Sequence, residues 1–342
     1  MKFNRLGNTG LLISDLSLGT MTFGEENSRG TPSEAAIRIV HRYLDAGGNH
    51  LDTANVYAGG RSEEIVGQAI KNRRSDVVLA TKMRVKTGDG PNEEGLSRHH
   101  IIQAVEQSLH RLQTDYIDLY YMHLWDMITP LEESLRAFDD LVTSGKVRYI
   151  GVSNFKAWQI MKALGVSDRN GYHRFVAAQY QYSLVKRDIE YEFTDLCLTE
   201  GIGLLPWGPL GGGFLSGKYT RNQRPTDETA GRIATADGSV EEAWQRRNTE
   251  RNWRIVDAVD DIAQAREATQ AQVALAWLRA QSAVASVIIG ARTMSQLEDN
   301  LGAATINLTT EELQKLDTVS VLPELYPYTM YNQWAPRLNW AR

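Results

Sequence analysis

The segments VVLATK, at residues 77–82, and YIDLYYMH, at residues 116–123, are short apolar runs that end in an ionisable residue. Both are apolar along most of their length, which is typical of strands that are buried on both faces of a parallel sheet. Residues 101–112, which lie between them, carry apolar side chains three and four positions apart, as amphipathic helices do. The sequence therefore predicts strands that alternate with helices.

About eight such strand–helix units follow a predicted N-terminal hairpin around residues 6–14. Eight units make a TIM barrel, and 342 residues suffice for one. A doubly wound open sheet is the alternative architecture. It would be favoured by a G-x-G-x-x-G after the first strand, which GTMTFGEENSRG at residues 19–30 does not supply. We therefore predict an α/β fold, a (β/α)8 TIM barrel with an N-terminal β-hairpin.

Two helix starts are predicted from local sequence signals. Thr31 is predicted to cap the first helix, with Pro32 at its first position and Glu34 completing a capping box. Ser62 is predicted to cap the helix that follows the next strand.

We expect the whole chain, residues 1–342, to form a single barrel domain, because no segment has the composition of a linker. Residues 219–254 are polar and interrupt the strand–helix pattern, so we interpret them as an inserted loop followed by a helix.

The chain ends in an aromatic tail at residues 323–342. Two roles for the tail stay open. It packs on the outside of the barrel, or its aromatic residues close one wall of a substrate site together with Trp125. The aromatic residues in question are Tyr328, Tyr331 and Trp334.

The composition is that of an ordinary globular protein, with 42% hydrophobic and 23% charged residues. The formal net charge is -5 and there is no basic run, so neither a nucleic acid nor a membrane surface is predicted as a partner. We expect no signal peptide, and no apolar run approaches the roughly 18 residues that span a bilayer. With one cysteine, Cys197, no disulfide forms within the chain, and we expect a cytoplasmic protein.

Four ionisable residues lie where the predicted strands finish. Asp52 and Tyr57 follow one strand, Lys82 ends the next, and His123 ends the one after that. Catalytic residues of TIM barrels come from this C-terminal edge of the sheet. Taken singly, each has an ordinary explanation: a turn for the aspartate, solvation for the lysine, a structural hydrogen bond for the histidine and packing for the tyrosine. Their occurrence on consecutive strands favours a catalytic site.

The chemistry of these four residues is complementary. Tyrosine is a weak acid, with an ordinary pKa of about 10, so it needs a neighbour that stabilises the phenolate. Lys82 can do this for Tyr57, and Asp52 can hold Lys82 charged and in place. His123 can donate to an oxygen near the phenol, which makes the group a general acid for a carbonyl oxygen. Because no side chain delivers hydride to the carbonyl carbon, a cofactor is required.

An ordered series of motifs resembles the aldo-keto reductases over nearly the whole chain. The series runs LGTMTFG, LDTANVYAGGRSEEIVG, VVLATK, YIDLYYMH, GKVRYIGVSN, QYQYS, PWGPLGGGFLSGKY and VIIGARTMSQLEDN. The resemblance is greatest to the bacterial branch that is also similar to potassium-channel β-subunits. It implies a (β/α)8 barrel that binds NADPH without a Rossmann fold, with NADH as the alternative cofactor. It implies a catalytic tetrad of Asp52, Tyr57, Lys82 and His123, in which Tyr57 is the proton donor. No metal is implied.

The resemblance also implies which residues hold the cofactor. Near the nicotinamide it places Thr20, Met21, Asp52, Ser153, Asn154, Gln179 and Trp207, whose ring would stack on the nicotinamide. Around the pyrophosphate it places Gly208, Pro209, Leu210, Gly211, Gly212 and Lys218. At the adenosine end it places Gly290, Arg292, Gln296, Asp299 and Asn300, on a helix that Thr293 would cap.

Two departures from the family pattern concern the cofactor and the substrate. Gly290 and Gln296 stand where many better-known members carry lysine and arginine, so the prediction of NADP over NAD depends on Arg292, whose side chain suits a 2′-phosphate. His123 is followed by Leu-Trp-Asp where many relatives have a proline, which predicts Trp125 in the wall of the substrate pocket beside Tyr57 and His123.

The leading interpretation is an NADPH-dependent reductase of aldehydes or ketones, reversible toward alcohols, with a small-molecule carbonyl substrate. One alternative is a cofactor-binding regulatory subunit with vestigial catalysis. Another is a barrel isomerase or lyase that uses Lys82 as a Schiff base. The sequence does not distinguish a sugar-derived aldehyde, an aryl aldehyde and methylglyoxal as substrates, and it does not predict the oligomeric state.

Overall fold

A barrel of eight parallel strands forms the centre of the protein. The computed structural model describes residues 1–24, 30–221, 223–225, 231–235 and 243–334. An antiparallel hairpin of β1, Phe3–Arg5, and β2, Leu12–Ser14, precedes the barrel. The barrel strands are β3 Leu16–Gly19, β4 His50–Asp52, β5 Val78–Met83, β6 Ile117–Met122, β7 Val147–Ser153, β8 Phe175–Gln181, β9 Gly203–Trp207 and β10 Val287–Gly290.

The strands follow one another around the barrel in the order β10-β3-β4-β5-β6-β7-β8-β9. The two end strands meet through the segment that leads into β10. The N–H of Leu204 in β9 donates to the carbonyl of Ala283 (3.0 Å), and the N–H of Ala285 donates back to the carbonyl of Leu204 (2.8 Å). The structure therefore confirms the predicted (β/α)8 barrel with an N-terminal hairpin.

Helices cover the outside of the barrel. Among the described residues, no helix is long and apolar enough to cross a membrane. They are α1 Ser33–Asp45, α2 Arg61–Ile70, α3 Arg98–Leu112, α4 Leu131–Thr143, α5 Ala157–Asn170, α6 Phe193–Glu200, α7 Arg232–Thr235, α8 Trp244–Arg247, α9 Glu250–Ala265, α10 Gln270–Arg279, α11 Met294–Gly302, α12 Thr310–Val319 and α13 Tyr328–Trp334.

The apolar core has an outer and an inner layer. The outer layer lies between the sheet and the helices and includes the fully buried Tyr43 and Trp277. The inner layer fills the barrel with side chains from several strands, such as Leu119. Leu6 and Ile13 of the hairpin region pack in this inner layer and are fully buried. The hairpin therefore closes the end of the barrel from which the strands start.

The caps predicted for the first two helices, Thr31 and Ser62, are wrong. The first helix begins at Ser33 after Pro32, which has an extended backbone and makes no side-chain cap. The N–H of Thr31 donates to the carbonyl of Thr22 (2.8 Å), so Thr31 belongs to a loop contact. Ser62 lies inside α2, and its buried hydroxyl donates to the carbonyl of Thr20 (2.8 Å). In both cases the residue bonds a segment outside its helix and does not cap the helix.

The described part of the predicted insert, residues 219–254, packs on the loop that follows β9. Trp244 in α8 and Trp253 in α9 lie against Phe214, with ring centroids 6.4 and 4.9 Å away. Other positions of this segment fall outside the described residues. The extent of the domain, residues 1–342, stays a prediction.

The described part of the aromatic tail contacts the segment after β8. Tyr328 stacks on Tyr191, with ring centroids 5.0 Å apart, while Trp334 is 70% exposed. The side chain of Tyr331 and residues 335–342 lie outside the described part of the chain. A role of the tail in substrate binding stays a prediction.

We predict that acid destabilises the fold through His50, the first residue of β4. Its imidazole is fully buried and hydrogen-bonded to Ser17, and burial lowers its pKa to about 4. In the unfolded chain, His50 binds a proton at its ordinary pKa of about 6.5, whereas in the folded protein it stays neutral. The stability that neutral His50 provides is therefore present above pH 6.5 and is lost as the pH falls toward 4. From pH 7 to pH 5 the loss is about 2 kcal/mol.

The measurement is urea unfolding of the wild type and of His50→Gln at several values between pH 7 and pH 5. The variant starts less stable but loses less on acidification. Parallel pH dependence in the two proteins would show that His50 is not the cause.

Candidate active site

Three neighbouring strands bring the predicted tetrad to one edge of the barrel. Asp52 ends β4, Lys82 lies near the end of β5, and His123 follows β6 directly. The backbone N–H of His123 donates to the carbonyl of Met83 (3.0 Å), which fixes the start of its loop. Tyr57 begins a short 3₁₀ turn, Tyr57–Gly60, between β4 and α2.

Lys82 is fully buried and makes three contacts with its ammonium group. Nζ donates to Oδ1 of Asp52 (2.6 Å), to the carbonyl of Thr53 (2.8 Å) and to the hydroxyl of Tyr57 (3.3 Å). Burial by itself lowers the pKa of Lys82, but the charge of Asp52 and the contact with Tyr57 raise it above its ordinary value. The ammonium is therefore charged and directed at the phenol.

Gln179 holds the other side of the Asp52 carboxylate. Its Nε2 donates to Oδ2 of Asp52 (2.7 Å), and because an ionised carboxylate only accepts hydrogen bonds, this contact also fixes which way the amide faces. Ser153 in turn donates to the carbonyl of Gln179 (2.8 Å). The carboxylate is thus held at both oxygens, once by a cation and once by an amide.

His123 lies beside Tyr57 as a neutral imidazole. The two rings meet edge to face, with centroids 6.2 Å apart and an interplanar angle of 82°. Burial, together with the nearby Lys82 charge, lowers the pKa of His123 to about 3. Its Nδ1 is buried, with no hydrogen-bond partner among the described residues. The imidazole can therefore donate one hydrogen bond without carrying charge.

A cavity of about 330 Å³ opens in front of Tyr57 and His123. Lys82 lies behind Tyr57 and does not line it. The cavity is lined by Gly19, Thr20, Met21, Thr22, Asp52, Tyr57, His123, Ser153, Asn154, Gln179, Trp207, Gly208, Pro209, Ile288 and Gly290.

A second cavity of about 580 Å³ adjoins the first. The two share Met21, Thr22, Gly208, Pro209 and Gly290, so they form one continuous groove across the mouth of the barrel. Predicted site residues that line the second cavity are Met21, Gly208, Pro209, Leu210, Gly212, Lys218, Gly290, Arg292, Gln296, Asp299 and Asn300.

The second cavity is lined by two cations, Lys218 and Arg292, by one carboxylate, Asp299, and by several glycines. Burial and the nearby Arg292 charge lower the pKa of Lys218. Of the residues that the structure describes, none forms an ion pair with either cation. A Cβ atom at Gly213 would lie 3.0 Å from Cε of Lys218, and one at Gly231 would lie 2.6 Å from its Nζ, so the glycine backbone lies close to this side chain. Both positions have positive φ angles, 94 and 107°, which favour glycine. Two such cations beside a bare backbone suit an anionic ligand.

The helix start near Arg292 confirms part of the capping prediction. Thr293 accepts from the N–H of Gln296 (3.3 Å) and caps α11. The Gln296 side chain accepts from the N–H of Arg292 (2.9 Å), not from that of Thr293. Asn300 donates to the carbonyl of Gly290 (3.1 Å), which ties α11 to the end of β10.

Besides Lys82, two predicted site residues lie off the groove. Gly211 is buried, and its N–H donates to the carbonyl of Gly208 (2.9 Å), so it closes the turn of the loop. Trp125 packs against Phe155 and Trp158, with ring centroids 5.0 and 5.9 Å away. Neither residue lines the two cavities in the described structure, and a substrate contact of Trp125 stays a prediction.

Sequence reasoning missed several residues that line the groove. Thr22, Gly213 and Ser216 lie inside the motifs LGTMTFG and PWGPLGGGFLSGKY, which contain predicted site residues, so reading those motifs to their ends would have found them. Ala271 and Leu275 lie on α10, which carries no motif of its own, and the sequence holds no signal for them.

Comparison with known proteins identifies the family. A sequence profile described as "Aldo/keto reductase family" matches residues 15–321. The chain belongs to the aldo/keto reductase family. This confirms the resemblance predicted from the ordered motifs.

The relatives of this aldo/keto reductase include named reductases and channel subunits. It is 38% identical to "Uncharacterized oxidoreductase YrpG" of Bacillus subtilis, over 93% of this chain and 96% of the relative. It is 33% identical to "Versiconal hemiacetal acetate reductase" of Aspergillus parasiticus, over 96% of this chain and 99% of the relative. It is 38% identical to "Probable voltage-gated potassium channel subunit beta" of Arabidopsis thaliana, over 93% of this chain and 96% of the relative. The protein is thus an oxidoreductase that acts on carbonyl groups, in a family that uses nicotinamide cofactors.

We predict that His123 stays neutral throughout the physiological pH range. Because its pKa is lowered to about 3, its ring carbon protons should not shift in NMR spectra recorded between pH 5 and pH 8. His123→Gln identifies the signal by removing it. An inflection of that signal between pH 6 and pH 7 would contradict the neutral state.

Proposed function

We propose that the protein is an NADPH-dependent reductase of aldehydes or ketones in which Tyr57 is the general acid. One observation carries the proposal: the buried Lys82 ammonium lies 3.3 Å from the Tyr57 hydroxyl and is held there by Asp52, while Tyr57 and His123 face the same cavity. This arrangement provides a proton for a carbonyl oxygen and a fixed charge for the phenolate that remains.

The protein supplies the proton and holds the reacting oxygen. Tyr57 gives its hydroxyl proton to the carbonyl oxygen of the substrate, and Lys82 stabilises the phenolate. Asp52 keeps Lys82 charged through the cycle, so the phenol regains its proton beside an unchanged cation. Neutral His123 donates a hydrogen bond to the same substrate oxygen, which places the carbonyl. A bound nicotinamide supplies the hydride to the carbonyl carbon, which balances the reduction.

The groove suits a nicotinamide dinucleotide in its donors, acceptors and charge. Asn154 uses its amide N–H groups on the carbonyl of His123 (3.1 Å) and the hydroxyl of Ser153 (3.0 Å), so its oxygen is left to accept from a carboxamide. Lys218 and Arg292 supply the positive charge that phosphates need. We propose that the cofactor residues implied by the family resemblance act along this groove, with the nicotinamide in the smaller cavity and the adenosine in the larger.

We predict that Tyr57→Phe strongly lowers turnover and keeps cofactor binding. The loss of the phenolic proton should lower kcat by at least about 100-fold. The dissociation constant for NADPH, measured by fluorescence titration, should change by less than about 2-fold, a small free energy. Tyr326→Phe, at a residue that is 84% exposed, is the matched control and should keep wild-type kinetics.

The outcomes separate the competing functions. Undiminished turnover in Tyr57→Phe would contradict the acid role. The similarity to plant potassium-channel subunits supports a different candidate, a cofactor-binding regulatory subunit. That candidate predicts NADPH binding by the wild type with no NADPH oxidation across a panel of aldehydes, ketones and dicarbonyls.

We predict that Arg292→Ala discriminates between the two cofactors. Loss of a charge-assisted contact to the 2′-phosphate should raise KM for NADPH by about 10-fold or more, and KM for NADH by less than about 2-fold. Arg38→Ala, at an exposed arginine on α1, controls for the loss of a positive charge. An equal rise with both cofactors would contradict the assignment of Arg292 to the 2′-phosphate.

A further inference from the structure

The turn that carries Tyr57 has an unusual backbone. Ala58, Gly59 and Gly60 are left-handed in succession, with φ angles of 48, 62 and 97°. A non-glycine residue such as Ala58 adopts this conformation only at a cost, so surrounding contacts must hold it. The position of the Tyr57 hydroxyl depends on this turn, because the turn joins it to α2.

Backbone contacts with β5 fix the beginning of the turn. The N–H of Thr53 donates to the carbonyl of Ala80 (2.9 Å), and the N–H of Asn55 donates to the carbonyl of Lys82 (3.1 Å). The segment that leads into Tyr57 is therefore anchored to the strand that carries Lys82.

A side chain from α3 fixes the end of the turn. A Cβ atom at Gly60 would lie 2.9 Å from Cδ and 3.0 Å from Nε of Arg111. The backbone of the turn thus lies close to the arginine side chain, and a larger residue at Gly60 would have to displace Arg111 and adopt a strained φ angle of 97°. Arg111 lies near the C-terminal end of α3 and is mostly shielded from solvent.

A buried glutamate joins Arg111 to β5. The Nε of Arg111 donates to Oε2 of Glu63 (2.7 Å), and the hydroxyl of Thr81 donates to Oε1 (2.6 Å). Glu63 lies in the first turn of α2 and is fully buried. Successive side chains of a strand point to opposite faces, so Thr81 holds Glu63 on the helix side while Lys82 points into the barrel. One carboxylate therefore couples the helix that continues the Tyr57 turn to the residue before Lys82.

We propose that Glu63, Arg111 and Thr81 are positioning residues that set the distance between the Tyr57 hydroxyl and the Lys82 ammonium. The inference rests on the proposed function, because it matters only where Tyr57 donates the proton. It also gives a role to the carboxylate of Glu63, which is fully buried on α2. A shift of the turn by a few tenths of an ångström lengthens the contact that stabilises the phenolate, which slows proton transfer without altering the cofactor groove.

The test is the substitution Arg111→Lys, which keeps a positive charge and the methylene groups beside Gly60 but removes the Nε–H that donates to Glu63 and the planar guanidinium around it. We expect kcat to fall by about 10-fold or more, while KM for NADPH and its dissociation constant change by less than about 2-fold. Arg74→Lys is the matched control. Arg74 forms a similarly shielded ion pair with Asp118 (2.7 Å) just before β5, at the far end of the strand, and its variant should lose stability but keep kcat.

A double-mutant comparison separates positioning from general stability. In the Tyr57→Phe background, Arg111→Lys should leave the residual rate unchanged within about 2-fold, because its effect acts through the phenol. Thr81→Val is a second variant for the case that Arg111→Lys does not fold. It removes only the hydroxyl contact to Glu63 and should lower kcat in the same direction.

Each outcome has a distinct meaning. A fall in kcat of the same size in both the wild-type and Tyr57→Phe backgrounds, or a fall matched by Arg74→Lys, would overturn the positioning role. Wild-type kcat in both Arg111→Lys and Thr81→Val would overturn it as well, while leaving the acid role of Tyr57 intact. Wild-type turnover in Tyr57→Phe would instead overturn the proposed function, and the positioning role with it.

Discussion

The site depends on one buried positive charge. The Lys82 ammonium is removed from solvent, and it stays charged because Asp52 lies 2.6 Å away and the carbonyl of Thr53 accepts a further hydrogen bond. A buried ion without such a partner would give up its charge or destabilise the fold. Gln179 extends the constraint, because it holds the second oxygen of Asp52 from a strand on the other side of the barrel. The Lys82 ammonium, the Asp52 carboxylate and the Gln179 amide therefore form one hydrogen-bonded unit, and its ammonium positions the Tyr57 hydroxyl.

The barrel makes this unit rigid. The partners of Asp52 are 30 and 127 residues away along the chain, and parallel strands bring them to one edge. Two polar side chains at this edge also hold the backbone of a neighbouring segment. Ser153 holds the backbone of β8, and Asn154 holds the carbonyl of His123. The same residues that keep the strands in register thus form the wall of the groove, so the geometry of the site follows from the stability of the sheet.

The fold, and the place of Asp52, Lys82 and His123 at one edge of the barrel, could be predicted because each depends on signals that are local. Continuous apolar runs indicate buried strands, and a residue that follows such a run must lie at the strand end. The predicted cap at Ser62 is wrong because its hydroxyl donates to the carbonyl of Thr20, which is 42 residues away. Glu63 likewise reads as an ordinary polar residue of an amphipathic helix. Its partners Thr81 and Arg111 are 18 and 48 residues distant, and only the packing of α2 on α3 brings them together.

The N-terminal hairpin closes one end of the barrel. Leu6 and Ile13 fill the end opposite to the tetrad and pack among the apolar side chains of the barrel interior. Among the described residues, these apolar side chains separate Lys82 from solvent at that end. The side of the site that exchanges protons with solvent is therefore the side on which Tyr57 faces the groove.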